Sequence, residues 1–176
     1  IEAALVAKNR APGLNRSFSA QKWGFVPASA WMEAADEAMD KEFDGEYDIW
    51  GGDIDPKAVA IARSNAEKAG VEDLVRFEVA DALSFHREEP YGKLVTNPPY
   101  GERIMEKKEA EDLYRGFGKA FRSLPDGWTL SLLSSHTEFE RTFGRNADRK
   151  RKLYNGMLKC DLFLYGKRGA QHEKKR

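Results

Sequence analysis

The sequence predicts an α/β fold of Rossmann-like architecture, with a mostly parallel sheet and an antiparallel hairpin at the C-terminal end. Short apolar runs alternate along the chain with segments of helical periodicity, which is the pattern of a parallel sheet covered by helices on both faces. The last two predicted strands, 150–156 and 160–166, have no helix between them. They meet near Asn155-Gly156, a dipeptide typical of hairpin turns.

The individual elements follow from periodicity and from their end signals. Residues 10–23 contain scattered Pro, Gly, Asn and Ser and are predicted to form a long loop. One helix has clear signals at both ends, because Asp55 suits the N-cap, Pro56 the first turn and Gly70 the C-terminal cap. The remaining predicted helices are 1–9, 28–43, the segment marked by Leu113, Phe117, Ala120 and Leu124, and 137–143; the remaining strands are 47–55, 75–81, 93–97 and 128–135.

The composition is that of an ordinary globular domain. The 176 residues are 41% hydrophobic and 33% charged, and no apolar run is long enough to span a membrane. Lys plus Arg and Asp plus Glu number 29 each, so net charge gives no argument for nucleic acid. The single cysteine, Cys160, excludes internal disulfides and fits a reducing compartment, so we expect a cytoplasmic protein. The basic stretches 145–152 and 167–176 are interpreted as a solvated face and a disordered tail.

Three acidic or amide side chains lie where predicted strands end. Asp53 and Asp81 follow the first two strands, and Asn97 follows the third. Ligands of open α/β sheets bind at the carboxyl ends of the strands. The sequence therefore predicts a ligand site that includes these three residues.

The segment Asn97-Pro98-Pro99-Tyr100 has a chemistry that suits an amine substrate. Two prolines fix φ and remove two N–H donors, so the segment presents the Asn97 side-chain oxygen and the Pro98 carbonyl as rigid acceptors. Two acceptors that hold both N–H groups of an exocyclic base amine favour a pyramidal nitrogen, with its lone pair directed at an electrophile. Tyr100 offers a flat face to a base that has left its stack. Alone, the segment is also compatible with a simple strand-ending turn.

The segment 96–103, Thr-Asn-Pro-Pro-Tyr-Gly-Glu-Arg, resembles the amino-methyltransferase motif of class I S-adenosylmethionine-dependent enzymes. More narrowly, it resembles the motif of the THUMP-containing 23S ribosomal RNA guanine-N2 methyltransferases, a family often described as N6-adenine-specific DNA methylases. Other family motifs are similar to four further stretches of this sequence, which are 1–23, 51–71, 80–85 and 149–165. The resemblance thus covers nearly the whole chain, and residues 1–166 are expected to form the catalytic domain.

The resemblance implies roles for particular residues. Asp53 and Ile54 would bind the ribose end of S-adenosylmethionine, and Asp81 and Ala82 its adenine. Asn97, Pro98, Pro99 and Tyr100 would form the catalytic motif, with Asn97 also near the cofactor. Arg16, Phe18 and Trp23, in the basic loop that also includes Lys8, Arg10 and Lys22, would contact RNA; the alternative is a packed loop with surface charges. Glu102 and Arg103 receive no chemical role, and no metal is implied. His86, His136 and His172 are interpreted as structural or solvated, and Cys160 is predicted to be a buried core residue.

One motif of the family is missing from these residues. A strand and a glycine-rich loop that hold the methionine end of the cofactor should precede residue 1, and that strand should lie between the strands of Asp53 and Asn97. We therefore expect an upstream segment of the same protein to supply the strand and an RNA-binding THUMP domain. Position 1 is Ile rather than Met, which agrees with this expectation.

The sequence therefore predicts methyl transfer from S-adenosylmethionine to an exocyclic base amine of RNA, with guanine N2 of large-subunit ribosomal RNA as the preferred target. Adenine N6 of DNA or a protein glutamine would suit the same motif. A domain that binds nucleic acid without catalysis is the alternative from another class, supported by the missing glycine-rich loop. A nicotinamide dehydrogenase is disfavoured because the chain has no G-x-G-x-x-G after a first strand.

Overall fold

The computed structural model describes residues 1–100 and 107–166 of the chain. It divides into two units, Ile1–Ala80 and Asp81–Arg176, which are described separately. Glu102, Arg103 and the basic tail 167–176 lie outside the described residues.

The first unit contains one pair of parallel strands and three helices. Its elements are α1 (Glu2–Ala7), α2 (Ala28–Asp40), β1 (Ile49–Asp53), α3 (Pro56–Ala69) and β2 (Val75–Val79). The predicted ends of α3 are confirmed. The Asp55 side chain accepts a hydrogen bond from the Lys57 N–H at 2.8 Å, and Gly70 ends the helix with φ 65°.

The core of the first unit is small and mostly aliphatic. Its fully buried residues are Ala4, Ala66, Val71 and Val75, with Ile49 and Phe77 of the strands packed against them. Strand β1 pairs with β2 along its whole length, from Ile49 opposite Val75 to Asp53 opposite Val79. Parallel strands joined by a crossover helix are what the alternating pattern predicts.

The second unit contains a four-stranded sheet in the order β3-β4-β6-β5. Its elements are β3 (Tyr91–Thr96), α4 (Lys107–Ser123), β4 (Gly127–Ser134), α5 (Phe139–Phe143), β5 (Arg149–Asn155) and β6 (Leu158–Gly166). Strands β3 and β4 are parallel, whereas β6 pairs antiparallel with both β4 and β5. The predicted α/β fold with an antiparallel C-terminal hairpin is confirmed.

An aromatic core joins α4 and α5 to one face of this sheet. The side chains of Tyr114, Phe117 and Phe121 lie at helical spacing on α4 and are buried against strands β4 and β6. Helices α4 and α5 approach closely, because a Cβ at Gly118 would lie 2.2 Å from the carbonyl oxygen of Phe143. A side chain at position 118 would therefore force the two helices apart.

Strand β3 is more exposed than a strand in a sheet covered by helices on both faces would be. Its side chains alternate between half-buried and exposed, and Tyr91 and Val95 are 76% and 81% exposed. Among the described residues β3 pairs only with β4, and β1 pairs only with β2. Both strands therefore lie at sheet edges. This position explains why apolar side chains of β3, such as Tyr91 and Val95, remain accessible to solvent.

Among the described helices, none combines the length and the apolar character that crossing a membrane requires.

Candidate active site

The candidate motif forms a corner directly after β3, which we call the proline corner (residues 97–100). Asn97 is exposed, while Pro98, Pro99 and Tyr100 are half-buried. The Tyr100 hydroxyl donates a hydrogen bond to Oδ1 of Asn97. A carboxamide oxygen has two lone pairs, so Asn97 Oδ1 can still accept a second hydrogen bond. Within the described residues the Pro98 carbonyl accepts no hydrogen bond.

The C-terminal hairpin lies next to the Tyr100 hydroxyl. The side chains of Asn155, at the end of β5, and Cys160, on β6, are close enough to this hydroxyl to affect its pKa. Partial burial raises the pKa of Tyr100, an effect that the neighbouring side chains of Asn155 and Asn97 partly offset. The phenol therefore stays protonated near neutral pH and can donate to Asn97.

Helix α4 contacts the proline corner through Tyr114. The hydroxyl of this buried residue donates to the Pro99 carbonyl at 2.6 Å and lies 3.4 Å from Oγ of Ser134 on β4. Burial raises the pKa of Tyr114, so its hydroxyl remains a donor over the physiological range. The sequence analysis did not identify this residue as part of the site. The available signal was a tyrosine on the apolar stripe of α4, because a buried phenol needs a hydrogen-bond partner.

His136 lies in the core next to Tyr114, in agreement with its predicted structural role. Its ring meets the Tyr114 ring edge-on, with the centroids 5.6 Å apart. Nδ1 accepts a hydrogen bond from the Glu138 N–H at 3.2 Å, which places the proton of the neutral ring on Nε2. Nε2 lies 3.4 Å from Oε1 of Glu111 on α4, without the alignment of a hydrogen bond. The ring thus supports α4 rather than the proline corner.

The two candidate cofactor acids each stabilise a turn at a strand end. Asp53 is the last residue of β1, and its Oδ1 accepts the N–H of Asp55 at 2.9 Å. Asp81 follows β2 and caps the single turn Ala82–Ser84 by accepting the Leu83 N–H at 2.8 Å. Both side chains are exposed, and each carboxylate keeps free acceptor positions. Ile54 and Ala82, the other predicted cofactor residues, are also exposed.

Asp53 belongs to the first unit, and Asp81 and Asn97 belong to the second. Their predicted meeting in one ligand site stays a prediction.

The basic loop of the first unit is partly a packed structure. Lys8 and Arg10 pair with Glu42 at 3.1 and 3.3 Å, and Arg10 also donates to the Gly70 carbonyl at the end of α3. These two cations therefore stabilise the fold.

The three predicted RNA-contacting residues differ in how far they pack against the rest of the loop. The Phe18 ring stacks on Trp31, with the centroids 6.1 Å apart, and the Arg16 guanidinium lies 4.5 Å from the Phe18 centroid. Trp23 is exposed beside the still more exposed Phe25. Arg16 and Phe18 thus contribute to the packing of the loop, whereas Trp23 keeps a free surface. The role of all three in RNA binding stays a prediction.

Among residues 1–100 and 107–166, no group of three or more His, Cys, Asp and Glu side chains is placed to hold a metal ion.

Comparisons with known proteins identify curated relatives of the chain. The "Putative RNA methyltransferase YpsC" of Bacillus subtilis (strain 168) is 41% identical over 176 residues, covering 99% of this chain and 46% of that protein. The "Ribosomal RNA large subunit methyltransferase K/L" of Shewanella baltica (strain OS185) is 40% identical over 170 residues, covering 94% of this chain and 24% of that protein. The chain thus spans less than half the length of these relatives.

A solved structure and a family model agree with these relatives. The crystal structure of "SMU.472, a putative methyltransferase complexed with SAH" has a TM-score of 0.91 and 41% sequence identity, covering 95% of this chain and 45% of that one. The UPF0020 family model, described as "RMKL-like, methyltransferase domain", matches residues 1–163. The chain therefore belongs to the RMKL-like methyltransferase domain family.

Proposed function

We propose that the whole protein transfers a methyl group from S-adenosylmethionine to an exocyclic base amine of RNA, and that the amine is N2 of a guanine in large-subunit ribosomal RNA. The observation that carries the proposal is the proline corner, which presents two acceptors, Asn97 Oδ1 and the Pro98 carbonyl, directly after a strand. Tyr114 holds this corner through the Pro99 carbonyl at 2.6 Å. A rigid pair of acceptors suits a substrate that carries two N–H donors.

Four residues are proposed to hold the cofactor. The exposed carboxylates of Asp53 and Asp81 have free acceptor positions, which suit the ribose hydroxyls and the adenine amino group respectively. Ile54 and Ala82 would line the same site. The bound cofactor supplies an electrophilic methyl group on a sulfonium. The similar protein SMU.472 was solved with SAH, the product of such a transfer, which supports this choice of donor.

The proposed chemistry depends on where the lone pair of the amine points. In the free base this pair is delocalised into the ring and is a weak nucleophile. Hydrogen bonds from the amine to Asn97 Oδ1 and the Pro98 carbonyl favour the pyramidal nitrogen of the transition state. S-adenosylmethionine would supply the methyl group to this nitrogen and keep the electrons of its S–C bond, and the extra proton would leave to solvent because Asn97 is not a base.

Tyr100 has two tasks in this proposal. Its ring provides a stacking surface for the unstacked base, a contact worth about 1–3 kcal/mol. Its hydroxyl keeps the oxygen of the Asn97 carboxamide in place by donating to it. The second lone pair of that oxygen is then available to the substrate amine.

The relatives support RNA as the substrate, and the sheet edges support an additional strand from an upstream segment. A relative named as a ribosomal RNA large subunit methyltransferase is 40% identical over 94% of this chain, which favours RNA as the substrate. Strands β1 and β3 each have one partner within the described residues. We propose that an upstream segment supplies a strand to these edges and a THUMP domain that binds ribosomal RNA.

The proposal is tested by methyl transfer from labelled S-adenosylmethionine with the full-length protein. The substrates are unmodified ribosomal RNA, DNA and a protein extract, and the labelled product is mapped to a single atom. We expect label on guanine N2 of large-subunit RNA. Label only in DNA or only on glutamine would contradict the choice of substrate. A protein that does not bind S-adenosylmethionine in calorimetry would instead be a non-catalytic binding domain.

Asn97→Ala tests the role of the proline corner. We expect turnover to fall by about 100- to 1,000-fold, because one of two transition-state acceptors is lost, while the melting temperature changes little. The matched control is Asn65→Ala, which alters an exposed asparagine on α3. Wild-type turnover in Asn97→Ala would refute the role assigned to this side chain.

A further inference from the structure

The C-terminal hairpin carries a basic edge strand that the proposed chemistry does not use. All seven residues of β5 are exposed, and β5 pairs only with β6 among the described strands. Four consecutive residues, 149–152, are Arg or Lys. A run of this kind is often only a solvated face, so the distribution of its partners decides how it should be interpreted.

The alternation of the strand separates these four cations into two faces. On one face Lys150 donates to Oε2 of Glu140 at 2.6 Å, and Lys152 lies directly opposite Asp161 of β6. These two lysines have acidic neighbours that balance their charge. They are also sufficient to discourage another strand from pairing with this edge.

The other face carries positive charge without such neighbours. Arg149 and Arg151 lie opposite Leu164 and Leu162, and no described carboxylate is within ion-pair distance of either guanidinium. Leu153 and Asn155 continue this face of β5, because alternate residues of a strand share a side. We call these four residues, Arg149, Arg151, Leu153 and Asn155, the outer row.

The Asn155 end of the outer row lies near the proline corner. Asn155, its last member, lies near the Tyr100 hydroxyl, as does Cys160, which pairs with Leu153 across the hairpin. At about 3.3 Å per residue, Arg151 and Arg149 lie about 13 and 20 Å along the strand from Asn155. Two uncompensated cations therefore follow the tyrosine of the catalytic motif at regular intervals along one rigid element.

The tip of the hairpin is also exposed. Tyr154, on the lysine face of β5, is 73% exposed, and Met157, in the turn, is 100% exposed. Cations aligned along a strand bind the phosphates of single-stranded nucleic acid, because a positively charged surface follows its backbone. A base held at Tyr100 must be unstacked, so the adjoining RNA is locally single-stranded.

We propose that the outer row binds the RNA strand next to the target base, with Arg149 and Arg151 contacting its phosphates. This inference rests on the proposed function, because it assumes that the base at Tyr100 belongs to RNA. It places part of the substrate contact on the catalytic chain itself, in addition to any contact that an upstream RNA-binding domain makes.

The test is the double variant Arg149→Gln/Arg151→Gln in the full-length protein, assayed with ribosomal RNA over a range of salt. Two lost phosphate contacts should lower the slope of log KM against log salt by about 1.4 and raise KM about 10- to 30-fold near 0.1 M salt. We expect kcat and S-adenosylmethionine affinity to stay within twofold of wild type, since neither arginine contacts the reacting groups. The matched control is Lys68→Gln/Lys119→Gln, which removes two exposed cations from α3 and α4 and should leave KM unchanged.

Each outcome supports or overturns a specific statement. If the wild type methylates RNA and the double variant keeps its KM and salt slope, the outer row does not bind RNA. If the control variant shows the same rise in KM, the effect is one of net charge and the proposal also fails. If the wild type methylates no RNA, the proposed function fails and this inference fails with it.

Discussion

Tyr100 and Tyr114 are the two phenols that connect the proline corner to the rest of the second unit. Tyr100 donates a hydrogen bond to Asn97 within the corner and lies near Asn155 of the hairpin, while Tyr114 of α4 donates to the Pro99 carbonyl. The geometry of the two candidate acceptors thus depends on residues from three elements. Rigid acceptors are useful here because reorganisation during the reaction would reduce their stabilisation of the transition state.

Tyr114→Phe removes one hydroxyl group and so tests the hydrogen bond from Tyr114 to the Pro99 carbonyl. Removing the hydroxyl leaves the Pro99 carbonyl without its donor, so we expect the free energy of unfolding to fall by about 1–2 kcal/mol. Turnover should fall as well, because the corner becomes less well fixed, while affinity for S-adenosylmethionine should change little. Denaturant unfolding and steady-state kinetics measure the two effects. An unchanged kcat with the expected loss of stability would show that the hydrogen bond is purely structural.

At the scale of secondary-structure elements, Glu140 joins helix α5 to the hairpin. Its Oε1 accepts the Ala147 N–H at 2.7 Å, and its Oε2 accepts from Nζ of Lys150 at 2.6 Å. Burial alone would raise the pKa of Glu140, but the hydrogen bonds from Lys150 and Ala147 outweigh it and the pKa is lowered. The contact is therefore worth most when the carboxylate is ionised.

Glu140→Gln tests this connection by its pH dependence. A carboxyl with a lowered folded-state pKa contributes stability above its unfolded pKa, about 4.3, and loses it as the pH falls through the folded value. We expect the variant to be about 1 kcal/mol less stable than wild type at pH 7, since Lys150 is partly solvated. The difference should shrink as the pH falls below about 4. Urea unfolding at pH 7 and pH 3 checks this, and a difference that is independent of pH would contradict it.

At the scale of the whole molecule, the described residues contain two sheets rather than one. Strands β1 and β3 are both parallel strands with a single partner. Exposed N–H and C=O groups along a sheet edge are available to another strand. The chain spans less than half the length of its curated relatives, and the strand proposed for these edges would come from another segment of the protein.

Hydrogen exchange tests the proposed additional strand. In the full-length protein the edge amides of β1 and β3 should pair with it and exchange at least about 100-fold more slowly than in the 1–176 chain. Strand β6 is the internal control, because it already has a partner on each side and should be protected in both forms. Equal exchange of the β1 and β3 edge amides in the two forms would show that no strand is added there.

The sequence alone was sufficient for the features that depend on neighbours along the chain. The periods of the elements, the Asp55 cap, the Gly70 terminator and the hairpin at Gly156 were all predicted and are all present. The Asn-Pro-Pro-Tyr segment was also placed correctly at a strand end, since two prolines restrict the backbone wherever they occur. Local sterics and local hydrogen bonds decide such features, so they can be predicted from a short window.

The tertiary structure decided which distant side chains support the motif. The hydrogen bond from Tyr114 to Pro99 and the proximity of Tyr100 to Asn155 involve residues 15 and 55 positions apart, and no sequence period indicates such pairs. It also separated the four cations of β5 into a balanced face and an uncompensated one, because that depends on what lies opposite each residue on β6. The reason is physical: these contacts form only when elements far apart in the chain pack together, and their geometry is set by the core between them.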